Sequence, residues 1–190
     1  LGDYGTGKSS FLLYLTYILA KSFIDDPINV PIPIFISLKN FKKIRDIKKL
    51  ILSVMNNDYD VSIFTLSDFQ QLLEEGKMIL LLDGFDEMES KSNKEIILHN
   101  FEEINKLVTK KSKVILTSRT HYFKTHSQVN DLFNPQYDTE LLKMIRGNPR
   151  FKVLELLDFN NSQIIEFLKL HTNDYMDMWR KIKSTYNLDD

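Results

Sequence analysis

No cysteine occurs among the 190 residues, which excludes disulfides, thiolate chemistry and cysteine-based zinc sites. No apolar run approaches the roughly 18 residues that a membrane-spanning helix needs. Charge of neither sign dominates: 25 basic and 26 acidic residues leave a net charge of −1. That balance argues against a nucleic-acid or membrane-surface footprint. Lysines do gather between Lys39 and Lys49 and between Lys106 and Lys113, and both groups read as solvated helix faces or ends. There is no internal repeat, no low-complexity segment and no visible signal peptide, so the cytoplasm is the default location. An apolar content of 43%, with 12% aromatics, is enough for a packed core. The length allows one α/β domain and the start of another.

The first ten residues hold the most specific pattern. Gly2-Asp3-Tyr4-Gly5-Thr6-Gly7-Lys8-Ser9, followed by Ser10, fits G-x-x-x-x-G-K-[ST], the phosphate-binding loop. A loop wrapped around a polyphosphate must aim backbone N–H groups inward, and glycine permits the dihedrals and close approach this demands. A helix starting near Lys8 adds its positive end. Lys8 can reach the β- and γ-phosphates, and the Ser9 hydroxyl is placed to ligate Mg²⁺. A strand should precede such a loop, and only Leu1 remains of it. The chain is therefore expected to be a fragment, cut inside a domain.

Hydrophobic periodicity then predicts a helix over 8–23 (Phe11, Leu12, Leu15, Ile18, Leu19), amphipathic to buried, stopped at Asp25-Asp26-Pro27. Residues 30–38 read as a strand, and Pro31 and Pro33 place it at a sheet edge or give it an irregular start. Helices follow over 46–55 and 67–75, the second with Ser67 and Gln70 at capping-box spacing and Gly76 as its stop. Met78 to Leu82, ending in Asp83, read as a central strand buried on both faces. Ser92 with Glu95 opens a helix to about Thr109, and residues 113–119 form the next strand. Residues 120–150 read as irregular, 151–157 as a last strand, and Asn160 with Gln163 as the start of a helix, with another over 174–186. Strands alternating with helices predict an α/β fold with a parallel sheet.

Asp83 ends a buried strand, at the edge where open α/β sheets bind ligands. There it can hold Mg²⁺ opposite Ser9, or serve only as a turn residue. In Asp83-Gly84-Phe85-Asp86-Glu87 a glycine stands where many phosphate-loop ATPases carry a glutamate. Asp86 or Glu87 can instead orient or deprotonate a water, Asp86 being favoured, unless both merely cap the following loop. Arg119 ends the next strand. It can stabilise charge on the γ-phosphate, or form a structural pair with Asp86 or Glu87. His99, His121 and His126 lack metal-ligand spacing, and Trp179, Tyr122 and Phe123 read as core. Asn105-Lys106-Leu107-Val108 lacks the aspartate of a guanine-reading motif.

Taken in order, Gly-Asp-Tyr-Gly-Thr-Gly-Lys-Ser-Ser, Leu-Leu-Leu-Asp-Gly-Phe-Asp-Glu and Ile-Leu-Thr-Ser-Arg-Thr resemble the NACHT family of STAND P-loop NTPases. Leu156-Leu157-Asp158-Phe159 resembles that family's entry into a helical subdomain, and Ser-Arg-Thr-His-Tyr-Phe its bacterial members. The resemblance implies an ASCE-type sheet of order 5-1-4-3-2, with a nucleotide-binding domain over 1–157 and the start of a helical subdomain over 158–190. It implies ATP or ADP with Mg²⁺, slow hydrolysis, and self-association on activation. It also implies sensor and effector domains, a winged-helix part in the parent chain, and a role in antiphage immunity. A AAA+-like motor, a small-molecule kinase and a non-hydrolysing nucleotide holder stay open beside it.

Overall fold

The computed structural model describes residues 1–39, 41, 45–61, 64–88, 94–119 and 152–186. Two compact units divide the chain, Leu1–Glu155 and Leu156–Asp190. In the first, α1 (Lys8–Asp25), β1 (Ile32–Ser37), α2 (Ile47–Asn57), α3 (Leu66–Glu75), β2 (Met78–Asp83), α4 (Lys94–Asn105) and β3 (Lys113–Leu116) follow in order. The strands form one parallel sheet, β1-β2-β3, with Leu80 between Ile34 and Val114, and Leu82 between Ile36 and Leu116. This is the 2-3-4 run of the expected order.

β2 is apolar from Met78 to Leu82 because both of its faces are covered there. Ile79 and Leu81 meet Leu12, Leu15 and Leu19 of α1 on one side. Met78, Leu80 and Leu82 meet Ile51 of α2, Phe69 and Leu73 of α3, and Ile97, Phe101 and Ile104 of α4 on the other. Only one stripe of α1 finds the sheet: Phe11 is 47% exposed and Ile18 38%. The burial expected of those two is not seen.

The ladder shows how β1 accommodates a proline at the sheet edge. The N–H groups of Ile32 and Leu38 donate to the Lys77 and Asp83 carbonyls, so even-numbered residues of β1 face β2. Pro33 faces away, where no ladder donor is lost. On that outer edge the Tyr59 hydroxyl accepts from the Phe35 N–H (3.1 Å) and donates to its carbonyl (2.8 Å). One side chain thereby satisfies both groups of an open edge.

Four expectations need correction. The capping box of α3 is Thr65–Asp68, with reciprocal bonds in both directions, so the helix begins before Ser67. Residues 106–109 are not helical, and β3 stops at Leu116 rather than Arg119. Residues 152–157 form no strand. The Leu154 carbonyl accepts from the Leu1 amine at 2.6 Å, and no ladder bond to the segment occurs among the described residues. A segment with no ladder partner is not held as a strand. Ser92, His121, Tyr122, Phe123, His126 and the rest of 120–150 lie outside the described residues.

In the second unit, α5 (Asn161–His171) starts at the expected Asn160–Gln163 capping box, and α6 (Tyr175–Tyr186) follows. His171 stacks on Phe167 at 4.1 Å between ring centres. Trp179 is half-buried rather than core. No helix among the described residues is long and apolar enough to cross a membrane.

Candidate functional site

The loop ahead of α1 is shaped by two left-handed glycines, Gly5 (φ 83°) and Gly7 (φ 85°). A Cβ on either would stand in open space, so dihedral freedom, not crowding, is what requires glycine there. Gly7 is the N-cap of α1, and no side chain caps that end. The first N–H groups of an 18-residue helix are thus open to a ligand. The Thr6 N–H and hydroxyl both donate to the Asp3 carbonyl. The Lys8 ammonium donates to the carbonyls of Gly2 and Asp3, each at 2.7 Å. These bonds close the loop on itself and hold the cation beside it.

Across from the loop lie the carboxyl ends of β2 and β3. Gly84 turns the chain with φ 80° into a single 3-10 turn, Phe85–Glu87. Phe85 is buried and meets Phe101 edge-on at 6.2 Å. That anchor sends Asp86 and Glu87 to different surroundings. Asp86 is 5% exposed and bound by Arg119 twice. The Arg119 backbone N–H donates to Oδ1 at 3.0 Å, and the side-chain Nε lies 2.8 Å from Oδ2. The Glu87 side chain is 44% exposed, its Oε1 3.9 Å from Arg119 Nη2. The guanidinium carbon also stands 5.1 Å from the centre of the Tyr4 ring, a cation–π contact that joins β3's end to the phosphate loop. The structural pairing left open for Arg119 is therefore formed, chiefly with Asp86.

Tyr4, Gly5, Gly7, Lys8, Ser9 and Ser10 line one cleft together with Asp83, Gly84, Asp86, Glu87, Thr117 and Arg119. Of the positions singled out from the sequence, Gly2, Asp3 and Thr6 do not line it and act through the bonds just described. The space is about 290 Å³, at the lower end of small-ligand pockets, which run from roughly 300 to 1,000 Å³. Among the described residues no group of three or more His, Asp or Glu could cage a metal. Ser9 and Asp83 nevertheless border the same cleft. One hydroxyl and one carboxylate fit Mg²⁺, which keeps waters and takes substrate phosphates as further ligands. His99 is half-buried on α4, away from these residues in the chain and outside the lining.

Thr117 was not singled out in the sequence. Its hydroxyl donates to Asp83 Oδ1 at 2.6 Å. Nothing in Leu116-Thr117-Ser118 marks it until the strand register is known. Leu82 pairs with Leu116, and one step further brings Thr117 to Asp83.

A glycine-turned loop feeding a helix, and an aspartate ending the central strand of a parallel sheet beside it, define a P-loop nucleotide-binding domain. The NACHT domain family model matches residues 1–175. The chain belongs to the NACHT family of P-loop NTPases. It is also similar to an uncharacterized WD repeat-containing protein of Nostoc sp., with 32% identity over 172 residues. That match covers 88% of this chain and only 11% of the relative's length.

Proposed function

We propose that this cleft binds ATP with Mg²⁺ and hydrolyses it slowly, and that exchange between ADP and ATP governs self-association. The observation that carries the proposal is the shared cleft, in which Lys8 and Ser9 face Asp83, Asp86, Glu87 and Arg119. Lys8 and the open N–H groups of α1 bind the phosphates, and Ser9 and Asp83 hold the cation. Mg²⁺, when bound, neutralises charge on the β- and γ-oxygens.

Water activation falls to the acid pair. Both oxygens of Asp86 already accept from Arg119, which makes Asp86 a poor base and a good anchor. Glu87 is the more exposed carboxylate and the better placed to meet water. Arg119, held by Asp86, is oriented to stabilise phosphoryl charge. A holder that binds ATP without hydrolysis is the second reading, favoured by Gly84 directly after Asp83 and by Arg119's hold on Asp86.

The wider role is proposed from resemblance: a bacterial signalling switch in antiphage immunity, with sensor and effector domains in the parent chain. The relative's WD repeats, and the small share of its length that this chain spans, support such a multidomain setting. The test of the cleft is nucleotide binding by calorimetry with Mg²⁺ present. The wild-type chain is expected to bind ATP and Lys8→Ala to lose binding; retained affinity in Lys8→Ala refutes the assignment. Light scattering in ADP and in ATP tests the coupling to assembly, and equal mass in both refutes it.

A further inference from the structure

Thr117 lies inside Ile-Leu-Thr-Ser-Arg-Thr, where only Arg119 was given a role, yet it bonds four successive residues at the end of β2. Its N–H donates to the Leu82 carbonyl at 2.9 Å. Its hydroxyl donates to Asp83 Oδ1 at 2.6 Å and accepts from the Gly84 N–H at 2.9 Å. Its carbonyl accepts from the Phe85 N–H at 3.0 Å. The residue is 7% exposed.

The direction of the hydroxyl bond is fixed by inventory. A threonine hydroxyl has one proton, and a backbone N–H can only donate. With Gly84 donating to the oxygen, the proton must go to Asp83. The carboxylate is thus turned by a donor that cannot itself reorient without leaving a buried N–H unpaired. One of its oxygens is engaged with Thr117, and the other is the one left to serve the cleft. Ligating carboxylates are commonly oriented by such outer partners, and losing one typically costs about 10–100-fold in metal affinity.

We propose that Thr117 is the positioning residue for the metal carboxylate, setting Mg²⁺ affinity through Asp83. The inference rests on the P-loop reading above and goes beyond it by assigning metal affinity to a side chain on β3's end. The test is a Mg²⁺ titration at fixed ATP on the whole chain, reading nucleotide affinity by calorimetry, alongside ATP binding in EDTA. Thr117→Val is expected to raise the half-saturating Mg²⁺ by about tenfold or more, a larger fold-change than any it causes in metal-free ATP binding. Thr117→Ser, which keeps the donor, is expected to restore the wild-type requirement. Thr117→Ala repeats the test with a smaller side chain should the valine variant misfold.

A wild-type Mg²⁺ requirement in the folded Val or Ala variant overturns the proposal, and so does a serine variant as impaired as valine. Equal loss of metal-free binding also overturns it, because that marks a purely structural role. If the wild-type chain binds no nucleotide at all, the P-loop reading fails first and this inference falls with it.

Discussion

Arg119 and Asp86 form the shortest ion pair among the described residues that line the cleft, and the structure sets its worth. Arg119→Ala removes a cation and an Nε donor from a carboxylate whose side chain is 6% exposed. Breaking a fully buried pair costs about 3–5 kcal/mol. Two features lower that figure here. The Arg119 side chain is 35% exposed, so solvent screens it. The Arg119 backbone N–H also remains to serve Oδ1 after the side chain is gone. What is lost is one charge-assisted hydrogen bond, about 1.5–3 kcal/mol. Urea unfolding should be followed by far-ultraviolet circular dichroism, because the single tryptophan, Trp179, lies in α6 of the other unit. Arg119→Ala should lower the midpoint accordingly. Arg119→Ala with Asp86→Ala should cost less than the two single changes added together, by about 1–2 kcal/mol of coupling. A stability within about 0.5 kcal/mol of wild type, or strict additivity, would refute the pairing as the structural core of the site.

Phosphate release should separate the two acids. Glu87→Gln is expected to slow turnover by about 10²–10⁴-fold if it meets the water, while Asp86→Asn weakens folding yet leaves turnover per folded molecule measurable. The opposite pattern returns the base to Asp86, and no change in either supports the non-hydrolysing holder. Tyr59 predicts an alkaline limb. Burial raises its hydroxyl pKa above the ordinary 10.0, so the folded chain keeps a proton that the unfolded chain releases. Its contribution is intact below pH 10.0 and is lost as pH rises through the folded value. Tyr59→Phe should destabilise the chain at neutral pH and shrink the fall above pH 10.0. An unchanged alkaline fall would remove Tyr59 from that role.

Local chemistry made most elements legible before any coordinates. Met78–Asp83 could be bounded because five apolar residues end at an acid, and Asn160–Gln163 because a capping box is a local signal. Thr65 and Ser67 both precede acceptable partners. Choosing between them needs the backbone, which is extended at Thr65 (φ −99°, ψ 165°). Thr117, Ser118 and Arg119 look like strand in the sequence, whereas the bonds of Thr117 and Arg119 go to Leu82–Asp86 at the turn after β2. Residues 152–157 carry a strand-like pattern, but pattern does not supply a neighbour. Thr117 and the Tyr4–Arg119 contact were illegible for the same reason: both depend on register across 34 and 115 positions rather than on spacing within a motif.

The contacts also bound what a nucleotide switch in this cleft can do alone. Arg119 touches the phosphate loop through Tyr4 and the acid pair through Asp86, so a ligand that moves either is felt by the other. An exposed cation–π contact is worth about 0.5–1 kcal/mol, and the Arg119–Asp86 bond about 1.5–3 kcal/mol. Breaking both yields about 2–4 kcal/mol of bias. Carrying a two-state equilibrium from 1:99 to 99:1 takes about 5.5 kcal/mol. A switch built only on these contacts is therefore graded. An all-or-none change in assembly between ADP and ATP would have to draw the difference from contacts outside the cleft, such as those between assembled copies or with flanking domains.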